Sequence, residues 1–247
     1  PWEQAGKEAE SLWTKKHDKK YQEEIPTDNN QSGVILPMLA HDYKKRGKNI
    51  KWPAYLQPKL NGIRCLAKVT KDGIVYTSRK GKQFFLLDHL SDSIMEIFKI
   101  GDVIDGELFT PELTFQDITR AVKRTKTPSE LTPQIQYWIY DMALADLTFQ
   151  ERTDRIHAAF KGEAAHGSLV CVRTVLCREA TSLDTLHKQF AAHYEGTIIR
   201  NIAAHYKFDF RSTDLQKYKD FIDAEFKIVG GHEGTGKDTG TVIFECE

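Results

Sequence analysis

The sequence predicts an α+β fold of mostly antiparallel sheets flanked by helices. Three observations carry that expectation. Short runs with strand character recur from Tyr55 onward, amphipathic helical patterns are interspersed among them, and a turn triplet, Lys71-Asp72-Gly73, separates two of the runs. No internal repeat or low-complexity tract is present.

Taken in order, Ala5, Ala9, Leu12 and Trp13 recur at helical spacing and predict an N-terminal helix with one apolar face. The polar stretch from Gln22 to Ser32 reads as a linker or exposed loop, and a denser region begins near Val34. Arg64–Thr70 and Ile74–Ser78 read as a hairpin. Leu87, Leu90, Ile94 and Ile97 mark a helix, and Val103–Phe109 a strand. Phe115, Ile118 and Val122 predict a short helix, and Ile135–Leu144 another strand. Phe149, Ile156 and Phe160 belong to a helix ended by Gly162. Leu169–Leu176 reads as one strand, followed by a helix on Leu183, Leu186 and Phe190 capped by Thr181 or Ser182. Strands are expected again at Gly196–Asn201, Leu215–Lys219 and Glu225–Val229. From about Phe221 the chain turns β-like with a Gly-rich turn, the expected beginning of a second domain or the last strands of the first.

Composition narrows the function classes. The chain has 247 residues, 40% hydrophobic and 28% charged, which suits a globular domain with a real core rather than a disordered or fibrous chain. No apolar run approaches a membrane span and no signal peptide is visible. Cys65, Cys171, Cys177 and Cys246 show no zinc spacing, which argues for a reducing compartment, and a cytoplasmic location is expected. Formal net charge is zero, so nucleic-acid binding would have to rest on local basic stretches: Lys15–Lys20, Lys44–Lys51 and Arg120–Lys126. Each of these alone reads as solvated surface.

The segment Gln57-Pro58-Lys59-Leu60-Asn61-Gly62-Ile63-Arg64 carries the chemistry. A strand ends at Lys59 and an Asn-Gly turn projects its side chain into a cleft. Lysine attacks only as the free amine, which burial and nearby cations such as Arg64 would favour. Such an amine can attack the α-phosphate of a nucleotide. Asp105-Gly106-Glu107, at the expected end of a strand, offers a carboxylate for a ribose hydroxyl or a metal. Tyr140, in the aromatic strand Tyr137–Asp141, reads either as a base-stacking ring or as core packing. Glu195 through Arg200 supplies a second carboxylate and a cation. Lys217 and Lys219 fall on one strand face, an arrangement that makes sense with a phosphate between them.

In this order and spacing the segments resemble the motifs of the covalent nucleotidyltransferases, that is DNA ligases, RNA ligases and capping enzymes. The resemblance is nearest to small ATP-dependent DNA ligases of phages and other viruses, and covers roughly residues 37–230. It implies a ligase-type nucleotidyltransferase (adenylation) domain over residues 34–222, a helical extension and linker over 1–33, and the start of an OB-fold at 223–247. Lys59 resembles the adenylated nucleophile, and Gln57 the contact to the adenine edge. Arg64 resembles the arginine that holds AMP or the 5′ phosphate of the nick. Arg79 and Glu107 match ribose-binding groups, and Tyr140 the aromatic that stacks on the base. Glu195 resembles the carboxylate of the metal-assisted steps, with Glu107 as the other metal candidate, and Lys217 and Lys219 the grip on the α-phosphate. The implied cofactors are ATP and Mg²⁺, and the implied partner is nicked duplex DNA, acted on by a monomer.

Asn61 departs from the Asp usual in the family's DNA ligases and is expected to weaken handling of the metal or of the 3′ hydroxyl, not adenylation. The residues after Glu225 resemble the start of the OB-fold domain, without the later basic motif that orients pyrophosphate. Gly231–Lys237 fits part of a phosphate-binding loop, but Asp238 replaces Ser/Thr and a strand at Thr241–Phe244 follows, so it reads as a hairpin loop. His41 reads as a helix-surface residue. Two other functions stay open: an RNA ligase or RNA guanylyltransferase with the same lysine chemistry, and a non-catalytic module that binds nicks or nucleotides.

Overall fold

The computed structural model of the protein describes residues 34–220 and 224–247. The expected N-terminal helix, the linker after it, the first basic stretch and the junction at 222–223 lie outside those residues.

Two sheets carry the fold. The five-stranded sheet runs β1 (Leu39–Asp42), β12 (Arg211–Tyr218), β11 (Gly196–Asn201), β2 (Ala54–Lys59) and β10 (Val175–Cys177). The seven-stranded sheet runs β5 (Gln83–Phe84), β4 (Gly73–Ser78), β3 (Ile63–Thr70), β6 (Val103–Phe109), β7 (Gln136–Met142), β9 (Leu169–Cys171) and β8 (Ala165–His166). All neighbours are antiparallel except β1–β12 and β7–β9. The helices are α1 (Tyr43–Arg46), α2 (Ser91–Ile97), α3 (Phe115–Val122), α4 (Phe149–Ala159) and α5 (Leu183–Ala191).

Alternation along β3 explains how the layers stack. Cys65, Ala67 and Val69 face the main core, which they share with Ile94 of α2, Ile118 of α3 and Ile156 of α4. Leu66 points the other way and meets Met38, Tyr206 and Leu215, the apolar contact between the two sheets. A third cluster packs Leu183 and Phe190 of α5 on Leu56 and Ile199 of the five-stranded sheet. The helices begin where the sequence supplies an acceptor. Thr114 accepts from the Asp117 amide, and Thr148 forms a reciprocal capping box with Glu151, each cap contributing about 1 kcal/mol.

The Lys71-Asp72-Gly73 hairpin, the strand Val103–Phe109, the helix from Phe115 and the strand Gly196–Asn201 fall where the sequence predicts them. Other elements differ. Leu169–Leu176 is not one strand: β9 belongs to the seven-stranded sheet and β10 to the other, and the chain crosses between them at Val172–Thr174. The run contains no Gly, Pro, Asn or Asp, and its one polar pair, Arg173-Thr174, falls at the crossing without being a turn signal. Asp105-Gly106-Glu107 lies inside β6 rather than at its end. The helix after Ser182 gains no side-chain cap, because a 3₁₀ turn at Ala180–Ser182 leads into it with Ser182 already helical (φ −88°, ψ −8°). The strand placed at Leu215–Lys219 starts earlier, at Arg211, where β1 pairs with it, and ends at Tyr218. His41 lies in β1, paired with Gln216, and not on a helix.

The strand placed at Glu225–Val229 is β13 (Ile228–Glu233), which pairs with β14 (Val242–Cys246) in a separate two-stranded sheet. Gly231–Lys237 spans the end of β13 and the start of the connecting loop, and no α-helix follows it, in keeping with a hairpin.

Candidate active site

The five-stranded sheet hands over to the seven-stranded one directly after Lys59. β2 ends there, the chain turns through Leu60-Asn61-Gly62, and β3 begins in the other sheet. Lys59 therefore sits where the two sheets diverge. Gly62 is required by close approach: a Cβ there would overlap the Leu108 carbonyl oxygen and lie 2.8 Å from Cγ of Glu107.

The Lys59 ammonium pairs with Glu195, whose other oxygen takes Lys219 Nζ at 3.3 Å. Backbone geometry sets this up. The Glu195 amide donates to the Lys59 carbonyl at 3.0 Å, and Gly196 (φ +154°) passes so close to β12 that a Cβ would lie 3.1 Å from that of Lys219. Burial would raise the Glu195 pKa, but the Lys59 and Lys219 ammonium groups outweigh it and hold the carboxyl below its ordinary value. The neighbouring charge is thus a carboxylate, not the expected Arg64. Arg64 is itself spent on a two-toothed pair with the fully buried Asp105, at 2.9 and 2.6 Å. Desolvation works against the charged guanidinium, and Asp105 more than offsets it.

The β6–β7 ladder slips by one residue between Asp105 and Gly106. Asp105 faces Asp141 and Gly106 faces Ile139, so Tyr140 has no opposite residue. Such a bulge re-aims a side chain. The Tyr140 ring turns into the cleft, and its hydroxyl reaches the Gly106 carbonyl at 3.2 Å and Glu107 at 3.4 Å. Burial pushes the Glu107 carboxyl up to about 7, although Arg64 and Lys59 pull it down.

Behind the cleft, Asp141 is fully buried between two arginines. It accepts from Arg152 Nε at 2.6 Å and from Arg200 Nη1 at 2.6 Å. Arg200 also donates from Nε to Gln57 Oε1 at 2.8 Å, while Gln57 Nε2 donates to the Tyr140 carbonyl at 3.0 Å and to Thr174 Oγ1 at 2.9 Å. The Gln57 amide is thus held on both ends by the protein itself.

A cavity of about 250 Å³ opens between the sheets, lined by Gln57, Lys59, Arg64, Arg79, Glu107, Tyr140 and Lys217 among the residues picked from the sequence. Glu195 joins it through its contact with Lys59, and Lys219 through its contact with Glu195. Asn61 is exposed and does not line it. Arg200, the cation read from the Glu195–Arg200 segment, lines it too, as does Arg211, which was not among the candidates. Among the described residues, no carboxylate pairs with Arg79, Arg211 or Lys217, so the wall carries unpaired positive charge suited to an anion. Also missed were Asp141, Arg152 and Thr174. Arg152 did leave a signal, since it falls on the apolar face that Phe149 and Ile156 define, and an arginine there needs a buried partner. Thr174 left none.

No group of three or more His, Cys, Asp or Glu fit to hold a metal occurs among the described residues. Glu195 pairs with Lys59, and Glu107 lies close enough to feel its charge. Two carboxylates suit Mg²⁺, which binds through one or two of them and completes its shell with water and substrate phosphates.

Two sheets diverging at a strand-end lysine, with cations along the cleft, define a nucleotidyltransferase domain of the ligase type. The sequence pattern of the ATP dependent DNA ligase domain matches residues 37–219, and the chain belongs to that family. Among curated proteins it is similar to the DNA ligases of Enterobacteria phages T6 and T4, at 27% and 25% identity, over 85% of this chain and 54% of each relative. The chain thus spans about half the length of these relatives. Among solved structures, Chlorella virus DNA ligase–adenylate superposes with a TM-score of 0.61 at 24% identity, over 81% of this chain and 72% of the other. The ATP-dependent DNA ligase of bacteriophage T7, in complex with ATP, gives 0.57 at 19% identity, over 86% and 77%. These likenesses concern the fold. No helix among the described residues is long and apolar enough to cross a membrane.

Proposed function

We propose that the chain is the adenylation domain of an ATP-dependent ligase that seals nicks in duplex DNA. The observation that carries this reading is the strand-end Lys59 in a cleft whose Arg79, Arg211 and Lys217 lack carboxylate partners among the described residues. A triphosphate supplies the missing negative charge and presents its α-phosphorus to the amine.

In the first step the Lys59–Glu195 pair opens, the ammonium releases its proton to water, and the free amine attacks the α-phosphorus of ATP. A nitrogen–phosphorus bond forms, the bond to the β-phosphate oxygen breaks, and pyrophosphate leaves. Lys217 and Lys219 neutralise the oxygens around the phosphorus. In the second step an oxygen of the nick's 5′ phosphate attacks the same phosphorus and frees the lysine. In the third, the 3′ hydroxyl attacks the activated 5′ phosphate and loses its proton to water, and AMP departs as the oxygen–phosphorus bond to it breaks. Tyr140 stacks on the base, Gln57 stands at its edge, and Arg79 and Glu107 hold the ribose. Arg64 steadies the phosphate of AMP or of the nick. Mg²⁺ held by Glu195 and Glu107 would supply charge neutralisation at the phosphates. Asn61, outside the cavity, belongs with the later steps. Residues 34–222 form the adenylation domain and 223–247 begin an OB-fold, in a monomeric protein of the cytoplasm.

Intact-mass spectrometry after incubation with Mg²⁺ and ATP or GTP tests the first step, with Lys59→Ala alongside. A gain of one AMP from ATP alone, absent in the variant, supports the reading, and sealing of a nicked duplex by the full-length protein completes it. A GMP adduct would replace the ligase with an RNA guanylyltransferase. No adduct, even in the full-length protein, would leave a binding module and refute the proposal.

A further inference from the structure

The back of the site holds a histidine with no assigned role. His187 of α5 is 3% exposed, and each ring nitrogen has a partner. Nδ1 meets the Thr197 hydroxyl at 2.9 Å and Nε2 meets the Asp220 carboxylate at 3.0 Å. A carboxylate only accepts, so Nε2 carries the proton and donates, and in the neutral ring the Thr197 hydroxyl donates to Nδ1. The ring also stacks on Tyr218, with centroids 4.2 Å apart and planes 28° from parallel.

These three partners lie behind the residues that surround Lys59. β11 and β12 pair Thr197 with Tyr218 and Ile198 with Lys217. Opposed residues share a face and successive residues alternate, so Thr197 and Tyr218 face α5 while Ile198 and Lys217 face the cleft, which both line. Thr197 follows Glu195 by two residues, and Tyr218 and Asp220 flank Lys219. One imidazole therefore ties the start of β11, just after Glu195, to the end of β12, which carries Lys217 and leads directly into Lys219.

We infer that His187 is a positioning residue that sets the spacing of Glu195, Lys217 and Lys219 around the nucleotide phosphate by bridging Thr197 and Asp220 from behind. The inference rests on the proposed adenylation at Lys59. The Glu195–Lys219 contact spans two strands, and its length of 3.3 Å depends on how those strand ends lie against each other. Without the bridge, the end of β12 keeps its ladder to β11 and the Tyr218 hydroxyl's bond to Asp184 of α5 at 3.1 Å, but Asp220, directly after Lys219, loses its tie to α5. A displacement of about 1 Å in a phosphoryl-transfer site costs on the order of a hundredfold in rate.

The test is a double-mutant cycle on the full-length protein, read as the single-turnover rate of AMP attachment. His187→Phe keeps the ring stack on Tyr218 and removes both hydrogen bonds. It should slow attachment by about tenfold or more at saturating ATP, because the lysines are misplaced. In a Lys219→Ala background the same change should slow it by a clearly smaller factor, since one of the groups it positions is gone. Asp220→Ala, at the exposed end of the bridge, serves if His187→Phe fails to fold, and its effect should shrink likewise in that background. Independent, multiplicative effects, or an unchanged rate in folded His187→Phe, would overturn the inference. If the wild type itself attaches no AMP, the proposed function fails first. The bridge is then read by hydrogen exchange at the Glu195 amide, which His187→Phe should speed and whose constancy would refute the bridge.

Discussion

Replacing Asp141 should be the most damaging single change outside the cleft. Its carboxylate is fully buried and accepts four hydrogen bonds: Arg152 Nε at 2.6 Å, Arg152 Nη2 at 3.2 Å, Arg200 Nη1 at 2.6 Å and the Met142 amide at 2.8 Å. Arg152 and Arg200 are themselves 1% and 4% exposed. Asp141→Asn keeps the shape but removes the charge paired with two buried guanidinium groups, and turns an NH₂ toward donors. Breaking a buried pair in this way costs about 3–5 kcal/mol. Arg152 keeps the Leu147 and Ala204 carbonyls at 2.6 and 3.0 Å, which holds the cost within that range rather than beyond it.

With a urea slope of about 1–3 kcal/mol per molar, the midpoint should fall by at least 1 M. Equilibrium unfolding followed by tryptophan fluorescence measures it. The triple change Asp141→Leu, Arg152→Met, Arg200→Met supplies the control. It removes every charge together and should recover most of the loss, because no ion is left buried alone. A midpoint shift below about 0.3 M for Asp141→Asn, or a triple variant as unstable as the single one, would refute the reasoning.

Glu107 predicts a pH signature. Its carboxyl titrates near 7 in the folded chain against an ordinary 4.5, so the folded state binds the extra proton between those values. Stability from this residue is therefore present below pH 4.5 and is lost as pH rises toward 7. Glu107→Gln should gain on the wild type across that window in urea titrations at successive pH values, and a constant difference would contradict it. Gly62→Ala should cost about 1–3 kcal/mol, because β6 has to move away from the new methyl group. It should also slow AMP attachment on Lys59 by an order of magnitude or more, and a variant with wild-type melting and labelling would show that the contact is slack.

What the sequence determined by itself is whatever depends on near neighbours. Turn chemistry at Lys71-Asp72-Gly73, strand character at Val103–Phe109 and helical spacing from Phe115 all lie within a few residues, and all became the expected elements. The strand-end lysine before an Asn-Gly turn was legible for the same reason, and the order of the later segments placed most of the cavity wall. The tertiary structure alone decided how those groups are held. Gln57 is turned by Arg200, 143 residues away, and by Thr174, 117 residues away. Tyr140 faces the cleft because the ladder slips opposite Gly106, and a slip depends on both strands. Leu169–Leu176 divides between two sheets although only the polar pair Arg173-Thr174, which is no turn signal, marks the crossing. Hydrogen bonds and buried charges are satisfied by whichever partner the packed chain brings near, and local periodicity carries no information about that partner.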